Sequence, residues 1–227
     1  MEVKMNYKKR GGFYWVDNKP YASVTDIISI LDKPALRYWF GQQVYRAFSA
    51  NDRLSEKEAL SAPYKANKKA KDRGSTVHSI VEAWKQTGKY IDSIPAEFKG
   101  YAKAFYSFVS QHKIKLIEHE KQVVNDKYGY AGTLDIICQF NGNDKKTILD
   151  CKTGKGLYPE VELQLSAYRA ALGKDYDIAA VCLMEDGTFQ FAKYNKDRFK
   201  EFLACLTIWK WQNEEKIKQL KLYGGQK

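Results

Sequence analysis

The stretch ILDCKTGKG, residues 148–156, sets a short apolar run (Ile148, Leu149) against a carboxylate (Asp150) and brings an ammonium (Lys152) two positions later. Residues two apart in a strand share a face, so the acid and the lysine stand side by side where an apolar strand ends. Taken alone, such a D-x-K pair reads as a salt bridge at a sheet edge. Its neighbours give it another meaning.

Just upstream, GYAGTLDIICQF (129–140) and KKTILDCK (145–152) read as two strands joined by Asn141-Gly142, a strong hairpin dipeptide. In such a hairpin Asp135 and Asp150 can point to the same sheet face near one end. Carboxylates in apolar strands are costly unless their charge is compensated. Lys152 is one compensator. A divalent cation is another, since converging carboxylates make a hard-oxygen site suited to Mg²⁺ or Mn²⁺.

The surrounding pattern predicts the architecture. KLIEHEKQVVN (115–125) is a third strand before the hairpin, with Glu118 and Glu120 on one side. PEVELQLSAYRAAL (159–172) is a helix with Pro159 near its first turn. YDIAAVCLM and TFQFAKY are two more strands linked by Glu185-Asp186-Gly187, and an amphipathic helix runs from Lys196 to Leu220.

The first half is mostly helical. A hairpin around Asp17-Asn18 leads to a helix capped by Ser23 or Thr25, and another starts at Pro34 with Leu36, Trp39, Phe40 and Val44 on one face. SEKE (55–58) is a capping box for a short helix. A long helix follows over 65–87, and Pro95 opens one carrying Tyr101, Phe105 and Phe108. The fold class is therefore α/β (α+β), a central mixed β-sheet flanked by helices. Residues 1–64 are expected to form an N-terminal hairpin and helical elaboration, and 65–227 the core, together one compact unit.

Composition narrows the function. The 227 residues are 44% hydrophobic, enough for a sizeable core, and carry 38 Lys and Arg against 27 Asp and Glu, a net charge of +11. That excess favours a polyanionic partner such as nucleic acid. No stretch reaches the roughly 18 apolar residues a membrane helix needs, and the N-terminus lacks an apolar signal core. An intracellular, cytoplasmic protein is the expectation. Cys138, Cys151, Cys182 and Cys205 are scattered without a C-x-x-C pair and read as buried small hydrophobes. A basic chain with an acidic cluster points to metal-assisted hydrolysis of phosphodiesters.

Further polar residues line up in order. GSTVHSIVEAW places His78 and Glu82 one helical turn apart, and QLSAY does the same for Gln164 and Tyr168. The ordered set G-x-x-x-H-x-x-x-E, E-x-x-V, G-T-x-D, D-x-K-T-G and Q-x-x-x-Y, from Gly74 to Tyr168, resembles the PD-(D/E)XK nuclease superfamily. It looks most like the RecB-type exonuclease branch. The resemblance implies a restriction-endonuclease-like core and a Mg²⁺- or Mn²⁺-dependent deoxyribonuclease acting on DNA with free or single-stranded ends.

The same resemblance implies residue roles. Asp135 and Asp150 match the central metal-binding acids, His78 the helix histidine of the metal site, and the backbone carbonyl of Cys151 a main-chain metal ligand. Lys152 matches the catalytic lysine, Glu120 the acid of the first strand, and Gln164 and Tyr168 a supporting motif that meets DNA. Leu134 stands where the signature has proline, and the cysteine set of cluster-bearing relatives is absent.

Glu82 shares the helix face of His78. The basic run Lys68, Lys69, Lys71 and Arg73, with Thr153, Lys155 and the pair Lys9-Arg10, supplies candidate phosphate contacts. Tyr14, Trp15, Tyr38 and Trp39 are candidates for stacking on single-stranded bases. Two other readings stay open: a site-specific endonuclease or junction resolvase of the same fold, and a non-catalytic DNA-binding module. A nucleotide-binding loop is discounted, because KTGKG lacks the G-x-x-x-x-G-K-[ST] spacing.

Overall fold

The structure, a computed structural model, describes residues 7–51, 53–87 and 94–223, apart from the side chains of 7–10, 67–73, 78, 85–87 and 221–223. Three short strands come first: β1 (Tyr7–Arg10), β2 (Phe13–Val16) and β3 (Lys19–Ser23). Between β2 and β3, Asp17 and Asn18 have φ of 47° and 65°, the left-handed pair that a two-residue hairpin of matching twist requires. The first strand has no alternation to announce it, since YKKR is polar throughout.

Helices α1 (Val24–Ile28), α2 (Pro34–Ala50), α3 (Glu56–Thr87) and α4 (Lys99–His112) follow, the last entered through a 3-10 turn at Ala96–Phe98. Then come β4 (Lys115–Asn125), β5 (Tyr130–Gln139), β6 (Thr147–Thr153), α5 (Glu160–Leu172), β7 (Asp177–Leu183), β8 (Phe189–Tyr194), α6 (Phe199–Gln212) and α7 (Glu214–Tyr223). The mixed sheet runs β1-β2-β3-β5-β6-β7-β8, with β4 also paired to β5. The β3–β5 and β6–β7 pairs are parallel. The central mixed sheet flanked by helices is the class the sequence pattern predicts.

Each face of the sheet is covered. Val24, Ile27 and Ile28 of α1, Leu165 and Tyr168 of α5 and Phe202, Leu206 and Trp209 of α6 pack on one face with Tyr130, Leu134 and Ile148. Val77, Ile80 and Val81 of α3 and Tyr101, Phe105 and Phe108 of α4 pack on the other with Ile136, Leu149 and Cys151. All four cysteines are free and buried. Residue 65 lies inside α3, and β3 joins β5, so the N-terminal elements and the core share one helix and one sheet.

Two helix boundaries differ from expectation. The capping box forms, with Ser55 N–H and Oγ both donating to Glu58 Oε2 at 3.0 and 2.6 Å. The helix it starts is not short: α3 continues through Pro63 to Thr87. Proline removes its own N–H bond and crowds the carbonyl four residues back, that of Ala59, but Ala59, Ala62 and Ala66 around it are strong helix formers and the helix runs on. The expected single C-terminal helix is divided at Asn213. Its N–H and Nδ2 both donate to the Trp209 carbonyl, at 3.1 and 2.9 Å, a local bond that competes with helix continuation.

Strand β5 has an interrupted edge, and this is what positions the site. Strand β4 runs along its whole length, pairing from Lys115–Gln139 to Asn125–Tyr130. On the opposite edge, β3 pairs only with Tyr130 and Ala131, and β6 only with Ile136 to Cys138. Among the described residues, 132–135 have no strand partner on that edge.

Candidate active site

Asp135 stands at the end of this gap. The β5–β6 ladder stops at Ile136–Leu149, one residue short of bringing Asp135 opposite Asp150. The Asp135 carboxylate continues it instead, Oδ2 accepting the N–H of Cys151 at 2.8 Å. A side chain thereby satisfies a main-chain donor that the parting strands would leave without a carbonyl.

Asp150 and Lys152 then point to the face covered by α5, while Leu149 and Cys151 point into the opposite core. Asp150 is 2% exposed. Its Oδ1 receives Lys152 Nζ at 2.8 Å and Gln164 Nε2 at 3.0 Å. Lys152 also donates to Gln164 Oε1 at 3.3 Å, and Gln164 Nε2 lies 3.2 Å from the Tyr168 hydroxyl. Gln164 and Tyr168 face the site because they lie one turn apart on α5.

Burial pulls the Lys152 ammonium towards neutrality, but the charges of Asp150 and Asp135 and its hydrogen bond to Asp150 outweigh this and hold its pKa above the usual lysine value. Burial, then the same two carboxylates, push the Tyr168 phenol well up and the Cys151 thiol likewise. Lys152 is therefore a cation at neutral pH, and Tyr168 and Cys151 are neutral.

Asp150 Oδ2 is buried and has no hydrogen-bond partner among the described residues. A buried carboxylate oxygen without a donor is costly, and a hard cation would satisfy it. The chemistry of Asp135 and Asp150 fits such a cation. Among the described residues no three His, Cys, Asp or Glu side chains gather into a complete ligand set. The His78 side chain, the expected further ligand, lies outside the described residues, as do those of Lys9, Arg10, Lys68, Lys69, Lys71 and Arg73.

The other expected residues fall at different distances from this centre. Glu120 occupies the register position across from Asp135, between His119–Ile136 and Lys121–Leu134, but is solvent-exposed with φ of 49°. Glu118 forms an ion pair with Lys121 at 2.7 Å. Glu82 lies 2.9 Å from Nδ1 of His119, whose side chain is only 4% exposed. Thr153 ends β6 half-buried, and Lys155 is exposed in the loop beyond. Of the stacking candidates, Tyr14 is buried with its hydroxyl 3.3 Å from Thr133 Oγ1, Trp15 and Trp39 are half-buried, and Tyr38 is exposed.

Two contacts have no counterpart in the sequence reading. His119 ties β4 to α3, and the only signal for it is that Glu118 and Glu120, read as one face of the strand, leave His119 for the other. Lys33, at the start of α2, pairs with Glu160 at the start of α5 at 2.8 Å. Burial disfavours the Glu160 carboxylate, yet Lys33 and, further off, Lys152 hold its pKa below the usual value.

No protein-family model matches the chain, and no curated protein sequence does. Solved structures similar to it include two crystal structures. The crystal structure of SSO0001 has a TM-score of 0.41 and 16% identity, over 88% of this chain and 75% of that one. An alkaline exonuclease from Laribacter hongkongensis has a TM-score of 0.41 and 12% identity, over 83% of this chain and 98% of that one. Likenesses at this distance decide neither family nor activity.

Proposed function

We propose that the chain is a metal-dependent DNA nuclease of the PD-(D/E)XK superfamily, of RecB type, hydrolysing phosphodiester bonds as an exonuclease on single-stranded or end-processed DNA. The observation that carries this reading is Asp150. It is a buried carboxylate that shares one oxygen with a charged lysine, keeps the other without a partner among the described residues, and stands beside Asp135 where two strands part.

Asp135 and Asp150 would hold Mg²⁺ or Mn²⁺, with His78 and the carbonyl of Cys151 as further ligands and Glu120 as the acid at the same level of the sheet. Such an ion, when bound, lowers the pKa of a bound water and offsets phosphate charge. Lys152 keeps its proton and supplies a fixed positive charge for the phosphate and the attacking water. Gln164 holds both Lys152 and Asp150 and so fixes the spacing between ammonium and carboxylate. Tyr168 braces Gln164 from the protein side. The basic residues Lys68, Lys69, Lys71, Arg73 and Lys155, with the Thr153 hydroxyl and the net charge of +11, suit a phosphodiester backbone.

The test is digestion of DNA labelled at its 5′ or 3′ end, with Mg²⁺, Mn²⁺ or chelator, beside a circular single strand. Metal-dependent shortening of the linear strand with the circle intact is expected. Cutting of the circle would make it an endonuclease, and binding without cleavage would make it a non-catalytic DNA-binding module.

A further inference from the structure

Helix α2 contributes no buried residue. Leu36 and Phe40 lie on one side, and Phe40 meets Tyr64 of α3 edge-on at 5.6 Å. Tyr38 and Tyr45 lie on the other side. They are seven residues apart, so they fall on one line, about 10 Å apart along the axis. Both rings stand in solvent, 71% and 73% exposed. Gly41 lies between them, and a Cβ built there would meet nothing within 4 Å.

We infer that this outward face of α2 is a stacking platform for single-stranded nucleic acid. Arg37 and Arg46 flank the tyrosine line, each about a quarter turn away on opposite sides. Arg37 is braced by Asp32 at 2.6 Å, while α2 itself, PALRYWFGQQVYRAFSA, contains no acid. Aromatic rings bordered by arginines on a chain of charge +11 complement bases on a phosphate backbone. The composition disfavours a second copy as the occupant: the stripe lacks aliphatic side chains, and α2 against α2 would oppose arginines with no acid on the helix to pair them.

The N-terminal end of α2 is anchored beside α5, the helix that carries Gln164. Lys33, immediately before α2, is pinned to Glu160 of α5, whose carboxylate also senses Lys152. Tyr158, 51% exposed, lies between Lys152 and Glu160 in the chain. A strand stacked on Tyr45 and Tyr38 would therefore be led towards Asp150. Only this direction rests on the nuclease reading, and the binding does not.

Fluorescence anisotropy with a labelled oligothymidylate, in chelator so that nothing is cut, tests it. Tyr38→Ala and Tyr45→Ala should each weaken binding roughly 5- to 150-fold, the range that base–aromatic stacking spans. Tyr→Phe at either position should bind as wild type, and a duplex of equal length should be little affected. Unchanged melting temperatures would verify that these exposed positions leave the fold intact. Wild-type affinity in the double alanine variant overturns the inference, as do failure of the Phe variants or a wild-type dimer that the double variant dissolves. A chain that binds but never cuts refutes the nuclease reading and leaves this one standing. A chain that cuts while the double variant binds as tightly as wild type refutes this one alone.

Discussion

The Asp135 carboxylate accepts the Cys151 N–H at 2.8 Å, one step beyond the last main-chain pair between β5 and β6. The acid thus has a structural duty in addition to its proposed catalytic one, and the two are separable. Asp135→Asn keeps an acceptor oxygen of the same shape and should retain most of the stability while losing nuclease activity. Asp135→Ala should also lose about 1–3 kcal/mol, the cost of leaving a buried donor without a partner. Denaturant midpoints beside the digestion assay measure both, and an active Asn variant would remove Asp135 from the chemistry.

Lys152 bonds Oδ1 of Asp150 at 2.8 Å and offsets part of its charge, so a cation at Oδ2 meets a carboxylate already partly neutralised. Lys152→Ala should destabilise the metal-free protein by about 1–3 kcal/mol, with the lysine's 36% exposure placing it below a fully buried pair. Added Mn²⁺ should then raise the melting temperature of the variant more than that of wild type, since ligand binding stabilises by mass action. In Asp150→Asn the response to Mn²⁺ should vanish. A Lys152→Ala variant whose melting temperature ignores Mn²⁺ would show that Asp150 does not bind the ion.

Asp135, Asp150, Lys152, Gln164 and Tyr168 were legible in the sequence because each stands in regular structure, where spacing fixes direction. Period two sends Asp150 and Lys152 to the same face, and a one-turn separation aligns Gln164 with Tyr168. The interrupted edge of β5 was not legible. It arises from where β3 and β6 each stop pairing: β3 lies more than a hundred residues from β5, and the point at which the β5–β6 hairpin parts leaves no local pattern. Neither did the Lys33–Glu160 and His119–Glu82 pairs, which join elements far apart in the chain. Helix α3 was read as a short helix after the SEKE capping box and a separate long one from residue 65, whereas the helix passes through Pro63 between the two without a break.

Gly132 is required by close approach. A Cβ there would sit 2.6 Å from Cε1 of Tyr168 and 3.2 Å from its hydroxyl. The ring is 2% exposed and bonded to Gln164, so it has nowhere to retreat. Gly132→Ala should cost about 1–3 kcal/mol, as overpacking does, and should reduce cleavage further by moving Gln164. Tyr168→Leu should relieve part of the cost in a double-mutant cycle. Strictly additive free energies would show that the two positions do not press on each other.

His112 gives stability a dependence on pH. Its ring ends α4 among aromatic rings, with centroids 4.9 Å from Phe108 and 4.7 Å from Phe191. Burial, and then the charge of Lys193, lower its pKa from the ordinary 6.5. Well above pH 6.5 the histidine is neutral in both states and adds no slope. Below it the unfolded chain binds the proton first, so stability falls with pH until the folded histidine titrates as well. His112→Gln should flatten this acid-side loss, and Lys193→Gln should narrow it. The chain has three histidines, so the informative quantity is the difference between wild type and variant in urea midpoints from pH 7.5 to 5. Parallel curves would show that His112 takes up its proton as readily folded as unfolded.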